Sequence, residues 1–332
     1  MNSLNHPSLI LSLDAETRFL PVVMQFVETS ATAFGMGKEN SLQLCLASEE
    51  IYLYLCERIC PGRPLEIECL NGIYYTRIYF RFEVSEMNMS GLNITSTIGH
   101  DDEADLSEMG LLIAARSVDS LNIHSEKRNH VSLIVTKEKA YPPVEESAPL
   151  SADTKVHSIE KPDGEDVKRF ALRVAQYGTG GFIPLFFRYP GKVADMVAGG
   201  EYKAFVALNT KRDIVGGILF YNRTEKIVQC FGPYVFAGDS KEETTGSLLD
   251  ACVADVVRTK SLGLLSISGL PESLKTRFEP LGSILFLRKD SAPVELYYYF
   301  RHLHEDPVCE VWMHGDIEKF LRGEYERLVL AR

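Results

Sequence analysis

Apolar residues recur at helical spacing from Leu42 to Cys60, and the first half of the chain is organised around that stretch. At about 100° per residue, Leu42, Cys45, Leu46, Leu53, Cys56 and Cys60 share one face, with Glu49 in its middle. Leu44, Ala47, Ile51 and Leu55 form a second apolar face, so the pattern predicts a helix buried on two sides. Glu50 falls beside Gln43 and Glu57 on a narrow polar strip. A buried carboxylate needs a partner or a raised pKa, which makes Glu49 either a hydrogen-bonded structural residue or a functional one.

The flanking pattern extends this half. A strand is predicted over Ser8–Leu13, and a helix from Arg18 to Phe34 with Pro21 in its first turn and Gly35 near its end. Two alternating runs, Pro64–Leu70 and Tyr75–Val84, meet at Asn71-Gly72, a hairpin signal. Residues 85–107 read as a polar loop with an acidic patch, Glu108–Val118 as a helix, and Ser120–His124 and His130–Val135 as strands. This order predicts helices on one face of a mostly antiparallel sheet.

A proline-rich stretch without periodicity, residues 137–157, reads as a linker. Beyond it the rhythm changes. A helix capped near Asp163, a short helix from Gly191 to Ala198, and strands over Tyr202–Leu208, Ile214–Tyr221 and Lys226–Phe236 are predicted. A helix over Thr245–Ser261, a strand over Leu264–Ser268, a helix over Glu272–Glu279, strands near Ile284–Leu287 and Val294–Arg301, and a last helix over Asp316–Leu330 follow. The expected division is residues 1–138, a linker at 139–157, and residues 158–332.

Composition narrows the function classes. In 332 residues, 45% are hydrophobic and 24% charged, the balance of a globular protein. No apolar run approaches the roughly 20 residues that span a bilayer, and the first residues lack the features of a signal peptide. A net charge of -11 without basic clusters argues against nucleic acid as partner. Seven cysteines without CxxC spacing point to reduced thiols and a cytoplasmic setting, and no set of residues has metal-ligand spacing. His302, His304 and His314 fit no metal site, and Cys309–Trp312 reads as a strand.

Residues 8–138 resemble the GHKL ATPase fold, and within it the anti-sigma-factor serine kinases. Leu46-Ala47-Ser48-Glu49-Glu50 sits where that family carries a helical Glu followed by a Mg²⁺-binding Asn, and Glu108–Ile113 sits where its GxG opens a helix under the phosphates. The resemblance implies an ATP/Mg site with Glu50 or Glu49 as the residue orienting the attacking hydroxyl. Tyr54 stands at the Asn position and Gly110 at the phosphate loop. Tyr54 cannot ligate Mg²⁺ as an amide oxygen does, no DxGxG occurs in Tyr75–Asn93, and only Gly110 is left of the loop glycines.

Residues 155–300 resemble the GNAT acyl-CoA N-acyltransferases in element order and in Gln176-Tyr177-Gly178 followed by Phe187-Arg188-Tyr189-Pro190. That family binds the CoA pyrophosphate on a Q/R-x-x-G-x-G/A loop. The matching residues are Lys241, Thr244, Thr245 and Gly246, with Thr244 in place of the middle glycine. The resemblance implies acetyl-CoA as cofactor and a tyrosine such as Tyr234 as acid for the leaving thiolate.

The expected fold class is α+β in two domains, a GHKL-like α/β sandwich followed by a GNAT-like mixed sheet with flanking helices. The leading functional expectation is a bacterial regulatory or ligand-sensing protein with degenerate motifs in both halves, binding a protein partner, a small molecule or a second copy as a homodimer. The alternatives are an acyl-CoA-dependent N-acyltransferase gated by its N-terminal domain, and an anti-sigma-factor serine kinase.

Overall fold

The computed structural model describes residues 6–84, 102–125, 130–144, 153–178, 182–236, 241–267, 270, 272–286, 294–303 and 319–324. The chain divides into two compact units, Met1–Ala140 and Tyr141–Arg332.

The first unit is a five-stranded antiparallel sheet with three helices on one face. Strands β1 (Ser8–Asp14), β2 (Pro64–Asn71), β3 (Tyr75–Glu83), β4 (Ser120–Ser125) and β5 (His130–Glu138) lie in the order β1-β2-β3-β5-β4. Alternation decides which face is covered. Leu65, Ile67, Cys69, Ile78, Phe80, Phe82, Val131, Leu133 and Val135 point into the core with the helices. On the opposite face Arg81 pairs with Glu66 at 2.8 Å and Glu68 at 2.6 Å, and Arg77 lies over the Tyr75 ring.

Helix α1 (Leu20–Ala33) carries Pro21 in its first turn and ends at Gly35, whose φ of +77° suits glycine. Helix α2 (Lys38–Tyr54) continues into a π-helical turn over Leu55–Ile59, where the Cys60 amide reaches back to the Leu55 carbonyl at 2.9 Å. Of its two expected faces only one is fully covered. Leu44, Ala47, Ile51 and Leu55 are wholly buried, whereas Leu42 and Leu46 are 55% and 41% exposed and Glu49 is half-buried. Glu49 is therefore not the buried carboxylate that periodicity predicts. The helix rests on the sheet by the second face and leaves much of the first open.

Helix α3 (Asp102–Ser117) starts six residues before the expected Glu108.

The second unit has a seven-stranded sheet in the order β11-β12-β10-β9-β8-β7-β6. Its strands are β6 (Ser158–Glu160), β7 (Tyr202–Leu208), β8 (Ile214–Asn222), β9 (Ile227–Val235), β10 (Gly263–Ile267), β11 (Glu279–Phe286) and β12 (Val294–His302). One face packs on α4 (Gly164–Tyr177), a 3-10 turn over Leu185–Arg188, and α5 (Pro190–Ala198). The other packs on α6 (Lys241–Val256) and α7 (Glu272–Lys275). Asp163 caps α4 by accepting from the Asp166 amide at 2.8 Å, as its position predicts.

Three differences from the sequence reading stand out. Strand β6 is new, and α7 is shorter than the expected Glu272–Glu279. Described parts of the expected linker dock on the second unit: Tyr141 donates to Asp195 at 2.6 Å, and the Val144 amide donates to the Arg188 carbonyl at 3.0 Å. Of the expected terminal helix, residues 319–324 are helical. The expected Cys309–Trp312 strand, His304 and His314 lie outside the described residues. Among the described residues no helix is long and apolar enough to cross a membrane.

Candidate functional site

Among the described strands, β9 and β10 are the one parallel pair. Pairing runs from Gly263 opposite Ile227 to Ser266 opposite Cys230; β10 ends one residue later at Ile267, whereas β9 continues to Val235. Beyond Cys230 the strand turns its hydrogen bonds to β8 alone. The register with β8 shifts between Gly217 and Leu219, opposite a cis Gly232-Pro233 bond with Gly232 at φ +89°. The extra residue on β9 is a bulge, which bends the strand locally.

The bulge is pressed from both sides. A β-carbon on Gly216 would lie 2.8 Å from the Tyr234 carbonyl oxygen, and one on Gly217 would meet the Phe170 ring at 2.5 Å and the Phe205 carbonyl at 2.9 Å. Two glycines on β8 thus let the bulged strand and α4 come close. The candidate crevice is therefore the edge at the carboxyl ends of two parallel strands, with α6 following β9. In open α/β sheets that is where ligands bind.

The residues expected to hold a CoA pyrophosphate lie one step from that role. Lys241, Thr244, Thr245 and Gly246 all belong to α6. Thr244 and Thr245 are buried, and the Thr245 hydroxyl donates to the Lys241 carbonyl at 2.7 Å. Inside an α-helix the amides of Thr245 and Gly246 are spent on carbonyls four residues back. The expected loop is therefore helix, and amide donors for an anion are confined to the first turn at Lys241, Glu242 and Glu243. Lys241 is exposed at that end.

Tyr234 is placed by the bulge among Phe170, Phe187 and Phe236. Its hydroxyl donates to the Phe182 carbonyl at 3.0 Å, and burial drives its pKa well above the usual tyrosine range. Its place in the core and its bond to a backbone carbonyl give Tyr234 a packing role.

In the first unit the structure brings Glu50 and Gly110 together, but not around a phosphate. Gly110 is buried in the middle of α3, and a β-carbon on it would lie 2.5 Å from Glu50 Oε2. With the helix starting at Asp102, the Gly110 amide is already bonded within the helix and cannot cradle an anion. Tyr54 belongs to the hydrophobic core and is 6% exposed. Its aromatic body fills core volume where a metal ligand would have to be wet. Glu49 stays half-buried one residue from Glu50.

A cluster that the sequence reading did not find lies on the α4/α5 face of the second sheet. Arg223 donates to Glu324 through Nη2, and to Gln229 Oε1 at 2.9 Å through Nη1. Tyr298 donates to the other Glu324 oxygen at 3.1 Å, and Tyr221 donates to Gln229 Oε1 at 3.0 Å. Arg223 and Glu324 are 101 residues apart in sequence, so no spacing could reveal the pair.

No family model matches this sequence, and no curated protein matches it. Solved structures similar to the chain are acetyltransferases. One is an aminoglycoside 6'-acetyltransferase type Ii, at 12% identity and a TM-score of 0.36, covering 46% of this chain and 100% of that one. Another is a GNAT superfamily phosphinothricin acetyltransferase from Sinorhizobium meliloti in complex with acetyl-CoA, at 15% identity and a TM-score of 0.35, covering 47% of this chain and 96% of that one. A third is an N-acetyltransferase from Staphylococcus aureus Mu50, at 13% identity and a TM-score of 0.35, covering 44% of this chain and 98% of that one.

Proposed function

We propose that the second unit is an acyl-CoA-dependent N-acyltransferase, with the acyl-CoA seated in the crevice between β9 and β10. The end of the parallel β9–β10 pairing at Cys230 and Ser266, with β9 running on to Val235, carries the reading. Unpaired on that side, the β9 backbone beyond Cys230 would offer edge donors to the carbonyl of a thioester. The first turn of α6 lies at the same end for the phosphates. Glu242 and Glu243 in that turn oppose a dianion, so the affinity expected is modest.

Titration of the full chain with acetyl-CoA tests this. A β-carbon at Gly246 meets nothing within 4 Å, so Gly246→Asp adds charge one turn into α6 without a clash. Saturable binding at micromolar to millimolar concentration, weakened about tenfold by Gly246→Asp, supports the reading. Absence of binding at millimolar acetyl-CoA sinks it.

The first unit is proposed as a regulatory, partner-binding domain that retains a GHKL-like frame without a working ATP/Mg site. Two observations favour this reading. Glu50, Tyr54 and Gly110 are absorbed by helix packing and core, and α2 and α3 expose Leu42, Leu46, Met109, Leu112 and Ile113. Exposed apolar residues on neighbouring helices suit a protein partner or a second copy. Sedimentation of the full chain from micromolar to submillimolar concentration, with and without Leu46→Glu, reads self-association. A monomer throughout leaves a different partner as the occupant, and phosphate transfer from Mg-ATP to a protein serine would overturn the loss of kinase chemistry.

A further inference from the structure

Strand β1 (Ser8–Asp14) is an edge of the first sheet, and among the described strands it pairs with β2 alone. The direction of its backbone groups follows from the two ends of that pairing. The Asn71 amide donates to the Pro7 carbonyl at 2.8 Å, and the Ala15 amide donates to the Arg63 carbonyl at 2.8 Å. Antiparallel bonding alternates along a strand, so Leu9, Leu11 and Leu13 also turn their N–H and C=O groups toward β2. Ser8, Ile10 and Ser12 turn theirs to the open edge. Side chains alternate as well. Leu9, Leu11 and Leu13 stand opposite Cys69, Ile67 and Leu65 on the helix side, while Ile10 stands opposite Glu68 on the other face.

An open edge is ordinarily guarded by charge, proline or a bulge. Ser8–Leu13 carries no charged residue and no proline, and its register with β2 is unbroken. Leu9 is 44% exposed and Ile10 60% exposed. The carboxylates beside them on the outer face, Glu66 and Glu68, are already paired with Arg81. This edge therefore accepts a second strand without an unpaired charge being pressed against it.

Ser8-Leu9-Ile10-Leu11-Ser12 reads the same in both directions. We propose that β1 pairs antiparallel with β1 of a second copy of this chain, about a two-fold axis at Ile10. Ile10 then meets the partner's Ile10, and Ser8 meets the partner's Ser12, each pair exchanging both of its outward backbone bonds. Leu9 lies beside the partner's Leu11 on the helix side, in the closer, non-hydrogen-bonded kind of pair. Carried two residues further, the register sets Asp14 opposite the partner's His6, an acid against a base. The same surface is used on both copies, so association through β1 closes at a dimer. A strand this short falls below the roughly 20–30 residues a side of a standard interface, so the dimer should be reversible, with a dissociation constant of about 10–100 μM. The inference stands apart from the acyltransferase reading and leaves the exposed face of α2 and α3 to another partner.

Sedimentation equilibrium of the full chain from about 1 to 300 μM tests it. The wild type should pass from monomer to dimer. Ile10→Lys sets like charges together at the two-fold axis and should weaken the dimer at least about tenfold. If Ile10→Lys does not fold, Ser12→Pro decides instead, because it removes an outward N–H and no bond to β2. Leu46→Glu, on the helical face, should leave the dimer unchanged. A monomer throughout, assembly beyond the dimer, or a dimer that survives the folded edge variant or is lost with Leu46→Glu overturns the proposal.

Mild oxidation reads the register. In a hydrogen-bonded antiparallel pair the Cα atoms stand about 5.5 Å apart, within disulfide reach. Ile10→Cys should therefore link to its own copy, whereas Ser12→Cys, about 14 Å from its counterpart, should not. Peptide mapping identifies the bridge. Equal linking of the two variants, or none in the dimer, overturns the two-fold at Ile10.

Discussion

The carboxylate of Glu50 occupies the space in front of Gly110, with Oε2 at 2.5 Å from where a β-carbon on that glycine would stand. The contact joins α2 to α3 and gives Gly110 a packing reason that owes nothing to phosphate. The atom in the way is the tip of a flexible side chain, so Gly110→Ala needs only a swing of Glu50. The substitution also gains about 1 kcal/mol of helix propensity. Gly110→Ala should leave stability within about 1 kcal/mol of wild type, and Gly110→Ala with Glu50→Ala should exceed the sum of the single changes. Gly110→Leu reaches Glu50 Cδ and Cβ, 3.6 and 3.8 Å from the β-carbon position, and should cost about 1–3 kcal/mol. Urea denaturation of these four variants and the wild type measures this. A Gly110→Ala chain that unfolds outright would contradict the packing account.

Much of the frame could be read from the chain because local chemistry set it. Pro21 and Gly35 bracket α1, Asn71-Gly72 sits in the β2–β3 hairpin, and Asp163 caps α4, each by an interaction within a few residues. What sequence could not give depends on distant partners. Periodicity showed that Leu42 and Leu46 share a face with Glu49, but not that the sheet would cover only the other face. Strand β6 is three residues long and exists through pairing with β7. Of the candidate site, the strand-helix order around β9 and α6 was legible, and the loop at Lys241–Gly246 was not. The Arg223–Glu324 pair had no local signal at all.

The buried thiols give a test of both cores. Cys60, Cys69 and Cys230 are each 0% exposed, and desolvation first of all pushes each thiol up to about 12. Cys45, 9% exposed, is pushed up to about 11, again mainly by burial. The thiolate is the reactive form. Labelling of the described cysteines by iodoacetamide at pH 8 should therefore be slow in the native chain and rapid in denaturant. Fast native labelling of Cys230, found by peptide mapping, would mean that the strand next to the crevice opens.

Asp255 on α6 ties that helix to the β6–β7 edge through Lys161 at 2.9 Å and Lys203 at 2.7 Å. Burial acts to raise its pKa, but the hydrogen bonds and charges of Lys203 and Lys161 outweigh it, and the net shift is downward. A depressed folded-state pKa means stability that is present above the unfolded carboxylate value of about 3.9 and lost as pH falls through the lower folded value. Both lysines are at least half exposed, so solvent limits the contribution to about 1 kcal/mol or less. Asp255→Asn should be less stable than wild type at pH 7, and the two should converge as pH falls below 4. A gap that persists at pH 2 would assign the loss to packing instead.

Gly217 offers the sharpest test of the crevice. Its absent side chain leaves room for the Phe170 ring and for the Phe205 carbonyl, 2.9 Å from the β-carbon position, opposite the bulge on β9. Phe170 is fully buried among Phe187, Tyr234 and Phe236, so it cannot give way as Glu50 can. Gly217→Ala should destabilise the second unit by about 1–3 kcal/mol. The backbone on the other side is no softer, because the Phe205 carbonyl belongs to paired strand β7. Because the clash bears on the bulge, any acetyl-CoA affinity should fall with it under conditions where the variant is fully folded. Gly246→Ala, in open space on α6, should by contrast keep both stability and binding. Equal acetyl-CoA affinity in wild type and folded Gly217→Ala would show that the shape of the bulge does not set the ligand site, and would move the search for that site away from β9.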